Sequence, residues 1–405
     1  MYIQLISGLM LAGIIPAAFA GEPASFSDYA EKLNTHPQRL ELLEMAEQQK
    51  RTAKSELGLP DPMLGIGINN LPVSSGSFHE DRMTSKTIGV SQDIPNPAWR
   101  KAKAAQKNVL AAQTALQADY TTQKLIALFI SALAKHQKTT SQIKLAQKQL
   151  AHYQSLEGYF QGQIESGRSV YWRFSDVDVE KAITQQRLND LEAEKAEIEA
   201  TLVRLVGDVP PAGMARPDIK PQNLTDIAQT YPIRLQEKTS SHARAGVQTA
   251  KAAILPDFGL EAGYSQRESI NNAGVGDLFS VKARVSIPLW YASNQKPKLD
   301  AAKAQQRATT QALEDTRRTW QERLKTLREQ IEATGKNIKL LAEKKQSLQE
   351  ITAATRRMYE AGNGGFDAVL NAQISALDIA HALAEKRAQH ISLTAAYNSH
   401  FTGGF

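Results

Sequence analysis

The sequence predicts a mainly α-helical, internally duplicated protomer with a membrane β-barrel part: two β-hairpins, four strands in all, joined to long coiled-coil helices. Three observations lead there. Short segments recur in the same order in both halves of the chain, each displaced by nearly the same number of positions. Two apolar patterns of 3-4 spacing run far longer than a globular helix. Four segments of about 9–11 residues alternate between apolar and polar side chains, the length and period of a tilted membrane-crossing strand.

The chain opens with "LISGLMLAGIIPAAFA" at 5–20, an apolar run ending in Ala18-Phe19-Ala20. A small-x-small site after such a run predicts a secretory signal peptide over 1–20. A single anchoring helix is the alternative, and the run is short for a span. The first repeat then covers 21–207, a linker 208–222 and the second repeat 223–405. His36-Pro37 recurs as Tyr231-Pro232, "LPDP" at 59–62 as "LPDF" at 255–258, "DIP" at 93–95 as "SIP" at 286–288, and "ESG" at 165–167 as "EAG" at 360–362. "RLVG" at 204–207 lines up with "SHFTG" at 399–403.

Each repeat begins with a moderate helix, over 26–57 and 223–254, stopped by the proline of the LPD turn. Strands follow at 62–70 and 84–94, then at 258–267 and 278–289. In the first, Leu64, Ile66 and Ile68 share one face, against Met63, Gly65, Gly67 and Asn69. The fourth sets Val281 and Val285 against Lys282 and Arg284. Long helices are predicted over 97–164 and 297–360. Asn96-Pro97 is an N-cap followed by proline at the first helical position, and Pro297 opens the second copy. A helix of that length is a rod of roughly 100 Å. Ile143, Ala146, Leu150, Tyr153, Phe160 and Ile164 form a narrow seam in the first rod, and Leu324, Leu327, Ile331, Thr334, Ile338, Leu341 and Leu348 in the second. Each rod reverses at Gly167 or Gly362, where a residue free to take positive φ is wanted. Return helices span 170–206 and 366–401.

Composition narrows the function. With no cysteine, the chain has no disulfide, thiolate metal site or cysteine nucleophile. The net charge of +6 is spread among interleaved acids and bases without stacking aromatics, which points away from nucleic acid. Aromatics at 6% are low for a large globular core, and the helices already spend their narrow apolar stripes on each other, so the apolar strand faces need another partner. Lipid supplies one, and Trp99, Trp290 and Tyr291 lie just past strand ends, where an interfacial belt belongs. Four strands cannot close a barrel, and lipid does not tolerate open edges. Three copies would supply twelve strands around an aqueous lumen, with the helices packed into a tube below.

These residues resemble the TolC-like family of outer-membrane efflux proteins over nearly the whole mature chain. The resemblance rests on the duplicated plan, on "LPDPMLGIGINNLP" at 59–72, on "VSQDIPNPAWRKAK" at 90–103 and on "YEAGNGGFDAVLNAQ" at 359–373. The LPDP and SQDIP stretches are most similar to the outer-membrane components of heavy-metal, RND-type tripartite pumps. The resemblance implies a homotrimeric exit duct without cofactor, set in outer-membrane lipid and reaching through the periplasm of a Gram-negative cell. Its tips, Gly167, Arg168, Gly362, Asn363 and Gly364, would meet a periplasmic adaptor (membrane fusion) protein linked to an inner-membrane RND-type pump. The family's periplasmic lock is mostly missing here. Its tyrosine is present as Tyr359, but aspartates expected at 368 and 371 are Ala368 and Asn371. The first-copy aspartate is Arg173, and the basic residue expected two after Gly362 is Gly364. Asp176, Asp178 and Asp367 lie nearby and with Arg173 offer a different constriction; solvated carboxylates on a helix surface explain them as well.

No nucleophile elbow, phosphate loop, HExxH or paired-carboxylate motif is present. "GNGG" at 362–365 lacks the lysine of a phosphate loop and reads as a helix reversal. His79 and Met83, in the predicted outer loop of the first hairpin, are weak metal-contact candidates; a polar loop explains them as well. The expectation is passive conduction without catalysis. The rival readings are a periplasmic coiled-coil structural or adaptor protein, and an envelope hydrolase whose catalytic set would have to be found.

Overall fold

The computed structural model describes residues 25–167, 171–223, 226–270 and 274–405; the predicted signal peptide lies outside them. The chain runs α1 (Phe26–Lys32), α2 (Pro37–Ser55), β1 (Met63–Asn69), β2 (Ser85–Ile94), α3 (Pro97–Glu165) and α4 (Tyr171–Val206), and then repeats the plan. The second half is α5 (Tyr231–Ala252), β3 (Phe258–Arg267), β4 (Leu278–Val285), α6 (Gln295–Glu360) and α7 (Phe366–Asn398).

Several predicted boundaries are corrected. The helix expected over 26–57 is two helices with a 3-10 turn at Leu33–Thr35 between them. Pro37 has no N–H to continue the ladder, so α2 starts afresh, with the His36 ring nitrogen Nδ1 accepting from the Gln38 N–H at 3.3 Å. The helix expected from 223 begins only at Tyr231, one residue before a proline, Pro232. β4, expected to reach 289, ends at Val285. Beyond it Ser286 is tied to Asp257 in both directions, Ser286 N–H to Asp257 O at 2.9 Å and Asp257 N–H to Ser286 Oγ at 2.7 Å, before Pro288. α6 starts two residues ahead of Pro297.

The four strands form one antiparallel sheet in the order β1-β2-β3-β4, so the pairing of β2 with β3 joins the two repeats. Asn96 locks that junction. Its Oδ1 accepts from Trp99 N–H at 3.0 Å, capping α3; its Nδ2 donates to Ala252 O at 2.7 Å, closing the end of α5. Its own N–H donates to Asp257 Oδ1 at 2.8 Å. Arg100, one turn into α3, donates to Leu57 O at 2.6 Å and so serves the carbonyls that follow α2.

The narrow seam predicted for the first rod holds where it was placed, with Ala146, Tyr153 and Phe160 buried and Ile143 and Leu150 partly so, although Ile164 is exposed; nearer the sheet the rod is different. α3 packs against α2, α4, α5 and α7, and over Leu116–Gln142 it is buried on several sides. The apolar run 125–134 supplies this core: Leu125, Phe129 and Leu133 pack with Tyr29 of α1 and Leu202 and Leu205 of α4. The 208–222 segment is strapped across it. Gln137 Nε2 donates to Met214 O at 3.0 Å, and Asn398 Nδ2 donates to Lys220 O at 2.9 Å. α6 keeps the narrow seam, with Leu324, Ile331 and Thr334 buried. Among the described residues no helix is long and apolar enough to cross a membrane.

Candidate functional site

Two regions carry functional side chains: the faces of the sheet and the helical tips at the far end of the rods. The register fixes the faces, because residues directly opposite in an antiparallel pair point the same way. Leu64 pairs with Val90 and Ile66 with Ile88; Ile88 continues to Tyr264 and Phe279, and Val90 to Ala262 and Val281. Phe258 and Val285 extend the same face. It is a largely apolar surface, interrupted by Lys86 and Gln266 in the row of Ile68 and by Gln92 beside Leu260, and Ile66 at 79% and Val281 at 65% stand open in the protomer. Ile68 and Leu64 share that exposure. The opposite face carries glycines, serines, Arg267 at its far end and two ion pairs, Asp93–Arg284 at 3.1 Å and Glu261–Lys282 at 3.5 Å. Trp290 is exposed past β4, while Trp99 is half-buried under the Lys103 ammonium.

At the tips, Gly167 and Gly362 take φ of 80° and 77°, the left-handed conformation in which a helix reverses. The Asn363 N–H returns to Met358 O at 2.9 Å. Gly364 sits against the same residue, a Cβ there lying 3.4 Å from that of Met358. Arg168 lies outside the described residues.

Arg173, Asp176, Asp367 and Asn371 are brought together: all four line one cleft of about 470 Å³ between α3, α4 and α7. Arg173 Nη1 donates to Asp367 Oδ1 at 3.4 Å, linking the α3/α4 arm to α7. Tyr359 stands apart from this cleft, against an aromatic cluster that sequence reasoning missed. Phe366, the first residue of α7, lies 4.7 Å from the Tyr159 ring and 5.2 Å from the Tyr359 ring. Burial and then the hydrogen bond with Tyr159 raise the Tyr359 phenol above its ordinary pKa. The signal was present, since an aromatic next to the "GNGG" reversal has only the neighbouring arm to pack on.

Two further links between the arms were not foreseen. Arg187 of α4 lies 3.7 Å from Asp378 of α7, and Lys138 of α3 reaches both Glu194 at 2.7 Å and Glu385 at 3.1 Å. Burial pulls the Lys138 pKa down, but the hydrogen bonds to Glu194 and Glu385 outweigh it, and the net direction is upward. Its ammonium therefore stays charged inside the bundle.

His79 and Met83 lie in the loop between β1 and β2. The His79 Nδ1 lies 3.1 Å from Ser269 O, and the Met83 carbonyl accepts from Asn70 Nδ2 at 3.2 Å. Among the described residues no group of three His, Cys, Asp or Glu is placed to hold a metal ion.

The protomer is thus a four-stranded sheet with two open edges, mounted on a pair of antiparallel helical arms. Residues 233–396, from α5 to near the end of α7, match the family described as outer membrane efflux protein. No individually curated protein matches. The fold is shared with CusC at TM-score 0.75 and 16% identity, covering 98% of this chain and 99% of that one. VceC of Vibrio cholerae gives TM-score 0.73 at 14% identity over 92% and 94%, and CmeC of Campylobacter jejuni 0.74 at 11% over 99% and 94%. The chain thus resembles the TolC-like efflux channels in fold over its whole length and in sequence over its second repeat.

Proposed function

We propose that the mature chain, freed of residues 1–20, assembles as a homotrimer whose twelve strands close one barrel in outer-membrane lipid. The observation that carries this reading is the open four-stranded sheet with an exposed, largely apolar face. In water such a surface invites aggregation, and in lipid its two edges must be paired by other copies. Conduction is passive, with energy supplied by an inner-membrane RND-type pump through a periplasmic adaptor docked on the Gly167 and Gly362 tips. The cargo is heavy-metal ions, a reading supported by the LPDP and SQDIP stretches alone. The cleft holding Arg173, Asp176, Asp367 and Asn371 narrows the periplasmic mouth in place of the missing aspartates, and Tyr359 seats α6 beside it.

The assembly is tested by fractionation and by a heat-modified shift on detergent gels. Recovery as a soluble periplasmic monomer overturns it in favour of a coiled-coil structural or adaptor protein. The cargo is tested by deleting the gene and challenging the cells with copper, silver, zinc, cobalt and common drugs. Lost tolerance to drugs alone rejects the metal assignment and leaves the duct in place.

A further inference from the structure

Four side chains on the polar face of the sheet do not contribute to holding it together in proportion to their number. Asp93 and Arg284, and Glu261 and Lys282, are more than 40% exposed in every member, and pairs so solvated stabilise a fold by under about 1 kcal/mol. Yet their placement is specific. Asp93 of β2 and Arg284 of β4 are not neighbours in the sheet; both pair with Gly259 of β3, which lies between them. A Cβ at Gly259 would lie 3.3 Å from Arg284 Nε and 3.5 Å from Asp93 Oδ1. The glycine leaves room for the guanidinium to cross β3 and reach the carboxylate. Next to it, Glu261 and Lys282 are direct cross-strand partners. All four sit at the helix-proximal end of the sheet, on a face lined mostly by glycine, serine and threonine, with Met63 in the row of Glu261 and Asn69 and Leu278 nearer the other end. Arg267 shares this face at the opposite end, where its guanidinium turns to Gly276 O at 2.8 Å.

We infer that Asp93, Glu261, Lys282 and Arg284 form a charge-compensated girdle at the base of the barrel lumen that keeps the pore open to both cations and anions. The inference rests on the duct reading above and adds its ionic selectivity. Each protomer supplies two carboxylates and two cations, so a threefold ring carries six of each. Paired within hydrogen-bond distance, they cancel beyond a Debye length of about 8 Å, and a passing ion meets dipoles instead of a net charge. Removing one sign unmasks the other. A ring of one sign in a low-dielectric wall concentrates its counter-ions by 10-fold or more, roughly. A duct whose cargo is chosen upstream has no use for such a filter, and a balanced girdle removes it while the exposed side chains remain wet.

The test is single-channel recording in planar bilayers, with multivalent ions added only on the side of the outer loops so that the periplasmic tips are not probed. The probes are hexaamminecobalt(III) and inositol hexaphosphate. Wild-type protein is expected to resist both from that side. The double variant Asp93→Asn/Glu261→Gln should become about tenfold more sensitive to the hexaphosphate, and Lys282→Gln/Arg284→Gln about tenfold more sensitive to the trivalent cation. The exchanged pair Asp93→Arg/Arg284→Asp, neutral overall, should behave as wild type. If a double variant fails to assemble, Glu261→Gln alone leaves the Asp93–Arg284 bridge intact and should shift in the same direction by a smaller factor. Double variants that conduct and respond to both ions as wild type does overturn the girdle. A wild-type protein that assembles and never conducts overturns the duct reading instead.

Discussion

Asn96 shows how much one side chain carries at the junction of the repeats. It is buried, caps α3 through Oδ1 and closes α5 through Nδ2. Asn96→Ala removes a cap and strands the Ala252 carbonyl, an expected loss of about 2–3 kcal/mol. Its counterpart Asn294 makes no side-chain cap, so Asn294→Ala should be nearly silent; urea unfolding of the two variants checks the contrast. Asn96 as the cap of its own helix was legible in "NPAW". Its bond to the other repeat was not, because no local pattern records which chain end arrives there. His381 gives a second case. It is buried on α7 with neither ring nitrogen hydrogen-bonded, and burial, then the Arg187 charge, push its pKa down to about 4. His400 is held at about 4 by burial and by Arg323 and Lys124. Both rings are neutral in the fold, while the unfolded chain takes up protons below the ordinary 6.5. Stability is therefore unaffected above pH 6.5 and falls as pH drops from there toward 4. His381→Leu, which leaves no bond broken, should reduce that loss by about half, read as the shift in Tm between pH 7 and pH 5.

Helices behave here according to what surrounds them more than to what they spell. The 3-4 pattern of α6 was read correctly as a narrow seam, because one side of α6 meets α5 and α7 and the other meets nothing in the protomer. α3 has a comparable sequence but four neighbours, and polar residues such as Thr139, Gln142 and Gln149 are drawn into its core. Periodicity reports a face only when there is one face to report. The prolines at 37 and 232 were seen as repeat markers and underweighted as helix starts. The arms are joined by ion pairs that no motif announces: Arg173–Asp367, Arg187–Asp378 and Lys138–Glu385 all bind α7 to the α3/α4 hairpin. Asp367 is half exposed, so Arg173→Ala should cost less than about 1 kcal/mol and raise the open population of the mouth no more than about fivefold. Breaking all three links should multiply these small effects, giving a clear rise in single-channel conductance where the single variant gives a slight one. Equal conductance in all variants would show that the arms are held by the Tyr159–Phe366–Tyr359 cluster instead.

For the whole molecule the decisive question is which way the sheet faces. The alternation of the strands was fully legible, since a period of two survives any context, and the register aligns those alternations into one apolar and one polar surface. What the sequence could not record is closure, because in the proposed trimer the edges of β1 and β4 are completed by other copies. Facing can still be tested with two neighbouring positions on β1. Ile66 is on the apolar face and 79% exposed in the protomer. A cation there, by Ile66→Arg, would enter lipid near mid-strand at a cost of about 2–4 kcal/mol per copy, multiplied across every protomer of the ring. The expected result is loss of the heat-modified band and of recovery in the outer membrane. Gly65, the adjacent residue on the polar face, has its nearest obstacle 4.0 Å from a built Cβ, at Gly89 O. Gly65→Ser should therefore insert and assemble normally, with a polar hydroxyl added to a wet wall. The reverse outcome, a tolerated Arg at 66 with a disruptive Ser at 65, would turn the sheet inside out. The girdle of Asp93, Glu261, Lys282 and Arg284 would then face lipid, where four charges per protomer are far too costly to keep. The two substitutions thus test the orientation of the barrel and the premise of its charge-balanced lumen in one experiment.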